Sequence, residues 1–65
     1  MGLSNDEAAR LEELLASLHE VRGRIYPNGQ RFIDDLSSRL EDEGADMYMS
    51  GPQWRWLLDL HEQYC

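Results

Sequence analysis

Between positions 34 and 46 the chain sets six carboxylates, Asp34, Asp35, Glu41, Asp42, Glu43 and Asp46, against a single cation, Arg39. Carboxylates this crowded could do two kinds of chemistry. General acid–base catalysis would need burial or a close like charge to raise the pKa of one member of a pair. Electrostatic docking needs only a dense negative patch, which attracts a basic surface and repels an acidic one. Asp34-Asp35 and Glu41-Asp42-Glu43 fall on the solvent side of a helical pattern, so the sequence supplies nothing to raise a pKa. A charge run of this kind is usually a solvated face, and docking is the functional use it would otherwise serve.

Other residue types invite chemistry more weakly. His61 and Cys65 lie four apart, a spacing that puts both on one helical face and could begin a zinc site. Completion would require His19 and a carboxylate, because the chain has no second pair of Cys or His. A helix-end histidine beside a free thiol is the expectation, with no metal and no cofactor. In the run Trp54-Arg55-Trp56, residue types enriched at interface hot spots stand together. Trp54 is expected in the core, while Trp56, at the margin of an apolar arc, is a candidate partner contact together with Tyr48. Arg22, Arg24 and Arg31 gather around the first turn. Three arginines on a body of formal net charge −7 are too few to hold a phosphate backbone, so direct nucleic-acid binding is not expected.

The elements that must position these groups are helical. Ser4 and Glu7 form a capping box, followed by Ala8, Leu11, Leu14, Leu15, Leu18 and Val21 on one stripe. Tyr26-Pro27-Asn28-Gly29 reads as a turn, with Asn28 as a candidate N-cap for the next helix. Phe32, Ile33, Leu36 and Leu40 then form a narrow apolar stripe, opposite Asp34, Asp35, Ser38, Glu41 and Asp42. Gly44 is placed to end that helix in a left-handed conformation. Glu41, Asp42 and Glu43 stand at its C-terminal end, where the helix dipole is itself negative and disfavours them. Met47, Tyr48 and Met49 are expected to fold over an edge of the core. Ser50 and Gln53 make a second capping box, with Pro52 early in the helix and Met49 and Trp54 as a hydrophobic staple. The pattern predicts helices near 5–22, 29–43 and 51–64, in an all-α, small three-helix bundle occupying residues 1–65 as one domain.

Length and composition bound the function. At 65 residues, a domain buries only about 60% of the surface its unfolded chain exposes, which leaves little room for a deep substrate pocket. The expectation is a non-enzymatic chain. The lone Cys65 cannot form an internal disulfide, and no apolar run approaches membrane-spanning length. The start of the chain lacks the basic and apolar blocks of a signal peptide, and Asp6 stands where a myristoylation motif wants Ser or Thr. A cytoplasmic protein without membrane association is expected.

One resemblance adds a context. The pattern Phe32-x-x-x-Leu36-x-x-x-Leu40, Gly44, then Met49-Ser50-x-x-Gln53-Trp54-x-Trp56-Leu57-x-x-Leu60-x-x-x-Tyr64 resembles that of small helical phage and prophage proteins. It covers about half the chain. Such proteins include anti-CRISPR-type inhibitors and replication accessories, so the resemblance implies a phage-encoded protein aimed at a host macromolecular complex. It assigns no residue a role. Joined to the charge pattern, it leads to the expectation of a regulator that docks on a basic, nucleic-acid-binding protein surface. The carboxylates Asp34, Asp35, Glu41 and Asp42, in two clusters about 10 Å apart, would stand in for phosphates, with Glu43 and Asp46 in support. The alternative is a structural or replication accessory that uses Tyr48 and Trp56, its acidity serving solubility. A second copy of the chain is a further candidate partner, because the third helix carries more apolar surface than two short neighbours cover.

Overall fold

A computed structural model describes residues 2–65 and contains three α-helices: α1 (Asn5–Glu20), α2 (Pro27–Glu43) and α3 (Gly51–Tyr64). Two single 3-10 turns, Arg22–Arg24 and Gly44–Asp46, form parts of the links. Both capping boxes form. The Glu7 amide donates to Ser4 Oγ at 3.1 Å while Ser4 N–H donates to Glu7 Oε1 at 2.9 Å. At α3, Ser50 N–H donates to Gln53 Oε1 at 2.9 Å, and the Gln53 amide to Ser50 Oγ at 3.4 Å.

The second helix begins earlier than the turn chemistry suggests. Tyr26, extended at φ −62° and ψ 157°, is its N-cap, and Pro27 is its first residue. Proline is favoured there because its ring presets φ and the missing amide would have had no helical partner. Asn28 therefore lies inside the first turn instead of capping it. Gln30 secures the same corner, its side-chain amide donating to the carbonyls of Arg22 and Ile25 at 2.9 Å each. Gly29 is buried at this corner. A β-carbon there would lie 2.5 Å from Ile25 Cγ2, so only glycine lets the first turn of α2 sit so close to Ile25.

Side-chain neighbours fix the directions of the helices. Arg22 meets Asp34, His19 meets Ser37, and Glu12 shares a groove with Glu41, so α2 runs against α1. Glu7 and Arg10 line a groove with Trp54 and Leu58, and Ser17 lines one with His61, so α3 runs along α1. The result is an up-down-up bundle with α1 packed against both other helices. Its Cα radius of gyration, 11.0 Å, is close to the value of about 10.7 Å expected for a compact chain of this length.

The core is wholly apolar. Leu11, Leu14, Leu15 and Leu18 of α1 meet Phe32, Ile33 and Leu36 of α2 and Leu57 and Leu60 of α3, and Ile25, Met47 and Met49 close the ends. In the link before α3, Met47 and Met49 turn inward over the core as expected, while Tyr48 departs from them and turns outward. Leu58 of α3 lies outside this core. It is 42% exposed, because α3 has neighbours on one side only and Leu57 and Leu60 fill that side.

Candidate functional site

The C-terminal half of α2 projects the carboxylates, and Gly44 decides where that projection ends. Gly44 has φ 59° and ψ −138°, a backbone region nearly confined to glycine, and its amide donates to Leu40 O. The positive φ agrees with the expectation for this residue, although ψ lies outside the left-handed helical well. The chain then makes one 3-10 turn and exposes Asp46 beside the helix end.

All six carboxylates are exposed, but the structure divides them by their cations. Asp34 is gripped by Arg22, which arrives from the α1–α2 link: Nε donates to Oδ1 at 3.1 Å and Nη2 to Oδ2 at 2.6 Å. That hydrogen bonding holds the Asp34 carboxyl below the usual aspartate range; slight desolvation opposes it, and the charges of Arg22 and His19 add to it. The same contact raises Arg22 further above its already high value. Arg39 is shared more loosely, at 4.0 Å from Asp35 and 3.8 Å from Glu43, while its Nη2 donates to Tyr48 O at 3.1 Å. Glu41, Asp42 and Asp46 have no cation within salt-bridge distance among the described residues.

Folding also lengthens the acidic surface. Glu12 of α1 comes to line one groove with Glu41, over a floor that includes Leu15 and Leu40. Sequence proximity gives no sign of this, since the two residues are 29 positions apart. The antiparallel register of α1 and α2 is the only route to it. Chemically, the free carboxylates can accept hydrogen bonds from arginine or lysine; Glu41 and Asp42 stand on the last turn of α2 and Asp46 on the 3-10 turn that follows it.

The aromatic candidates are treated differently. Trp56 stacks on Phe32, with ring centroids 4.1 Å apart and planes inclined by 15°, and its indole N–H donates to Tyr26 Oη at 2.8 Å. It stays 36% exposed, one face held by the fold and the rest available to solvent. Tyr48 is 60% exposed, and only its carbonyl is engaged, by Arg39. The two do not form one patch by any stacking or hydrogen bond. Trp56 belongs to the Phe32 level of α2 and Tyr48 to the Arg39 level, seven residues or about 10 Å further along the helix. Trp54, expected in the core, is only half-buried and packs against it.

The His19 Nε2 lies 2.7 Å from Ser37 Oγ, a contact that ties α1 to α2. His61 and Cys65 are joined through the backbone, the Cys65 amide donating to His61 O at 2.8 Å. Among the described residues no three of His, Cys, Asp and Glu converge on a common point. Among the described residues no helix is long and apolar enough to cross a membrane. Arg24 and Arg31 are exposed, and neither forms an ion pair among the described residues. Comparison of the chain with family models, curated proteins and solved structures finds no match.

Proposed function

We propose that the chain is a non-enzymatic binding protein that docks the acidic end of α2 on a basic, nucleic-acid-binding surface of a partner protein and so inhibits or regulates it. The observation that carries this is the leftover charge: Glu41, Asp42 and Asp46 are exposed without a cation, at a helix end whose dipole already disfavours them. Asp35 and Glu43, which share Arg39 at long range, extend the patch, and Glu12 widens it. Asp34 is the member least free to meet a partner, because Arg22 already occupies both its oxygens. An anti-CRISPR-type inhibitor acting in the host cytoplasm is the most specific form of the proposal, and it draws on the sequence resemblance.

The test is affinity capture from host lysate followed by purification of the retained protein. The partner should be basic, should be released by duplex nucleic acid or by raised ionic strength, and should not be retained by E41Q/D42N/D46N. A partner held equally well by that variant and insensitive to salt would overturn the proposal. Such a result would favour the accessory-module alternative, for which the 60% exposure of Tyr48 is the supporting observation. Tyr48→Ala should then abolish retention.

A further inference from the structure

The exposed face of α3 beside α1, along the grooves it shares with Glu7, Arg10 and Ser17, carries a pattern that α2 does not. On a helical projection Trp54, Leu58 and His61 lie along one line, flanked on the same side by Arg55 and Glu62. Leu58 is 42% exposed at the centre of this face, and Trp54 and His61 are each half-buried beside it. Within the chain nothing completes the pattern, since neither Arg55 nor Glu62 forms an ion pair among the described residues. Their seven-residue separation is two helical turns, too far for them to reach each other.

From this geometry we infer that α3 is a homodimerisation helix, and that the occupant of its exposed face is α3 of a second copy, packed antiparallel about a two-fold axis at Leu58. In that register Leu58 meets Leu58 of the other copy, and each Trp54 faces the opposite His61. Arg55 of each copy then stands against Glu62 of the other, so one charge pattern is satisfied twice. The complementarity selects the orientation. A parallel pairing about a two-fold axis along the helices brings opposite flanks together, setting Arg55 against Trp54 and Glu62 against His61 of the other copy, so the Arg55–Glu62 pairs are not made. It also selects the partner, because the pattern on this face is its own complement under a two-fold axis. The inference stands apart from the acidic docking surface, which lies on α2, and either can fail without the other.

Sedimentation equilibrium of the full chain, from about 5 to 500 µM at about 0.15 M salt, should show reversible passage from the 7.6 kDa monomer to twice that mass. Leu58→Asp should weaken association by more than about a hundredfold, while circular dichroism reports an unchanged helix content, since Leu58 is not a core residue. Arg55→Glu and Glu62→Arg should each weaken it by about tenfold, and the double exchange R55E/E62R should restore it. Both charge variants are on exposed positions and provide the test even if Leu58→Asp disturbs folding. A chain that stays monomeric across the whole range would overturn the inference. So would a dimer indifferent to Leu58→Asp, or a double exchange no better than either single one.

Discussion

The two ends of α2 are built on opposite plans. At its N-terminal end the groups are engaged within the bundle: Gly29 admits Ile25, Phe32 stacks on Trp56, the indole meets Tyr26, and Arg22 holds Asp34. At its C-terminal end one guanidinium is spread over Asp35, Glu43 and the Tyr48 carbonyl, and Glu41, Asp42 and Asp46 are left without a cation. One end spends its side chains on holding the bundle together. The other leaves its side chains exposed to solvent.

Breaking the packed end should therefore cost far more than altering the charged one. Phe32→Ala removes a buried ring and the surface on which Trp56 stacks, and should destabilise the fold by about 3–5 kcal/mol. In a domain this small that is most of the total stability, which urea denaturation followed by circular dichroism will show. At the other end the backbone is the sensitive element. Gly44→Ala forces a β-carbon into φ 59°, ψ −138° and should cost about 1–3 kcal/mol, although a β-carbon there meets no neighbour. A loss of that size in the same assay would separate conformational strain from packing, since Gly44 lies in open space.

Smaller effects sharpen the contrast. Tyr26→Phe removes the acceptor of the Trp56 indole at a partly exposed position and should cost about 0.5–1 kcal/mol, with a shift in tryptophan fluorescence as the local reporter. The pH dependence has a definite sign. Asp34 is held below the ordinary aspartate value of about 3.9, so its pairing with Arg22 is fully present above that value. It is lost as the pH falls through the lower folded value. Asp34→Asn should remove that part of the acid denaturation curve and lower the melting temperature only slightly, because solvent screens so exposed a pair. E41Q/D42N/D46N should leave the melting temperature unchanged or raise it a little by relieving repulsion.

What was legible in the sequence, and what was not, follows the reach of each interaction. Local signals carried their elements: Ser4 with Glu7 and Ser50 with Gln53 cap the helices they announce, and all four leucines of α1 lie in the core. Met47 and Met49 turn inward as their neighbours suggested. The start of α2 was blurred because Pro27 satisfies both turn and first-helical-position chemistry, and a local reading cannot rank them. Contacts across the bundle left no trace in spacing. Arg22 reaches Asp34 over twelve positions, His19 reaches Ser37 over eighteen, and Trp56 reaches Tyr26 over thirty. Each depends on the antiparallel register of α2, which exists only once the bundle forms. For the acidic cluster the sequence supplied the charge and the face, while the division into paired and unpaired carboxylates required the fold.

Association kinetics with the captured basic partner test that division most directly. At about 20 mM ionic strength, E41Q/D42N/D46N should slow the association rate by about tenfold or more, and Asp34→Asn by much less, with the gap closing towards about 0.5 M salt. Equal association rates for the triple variant and the unaltered chain at low ionic strength, or a larger loss from Asp34→Asn, would contradict a docking role for the unpaired end of α2.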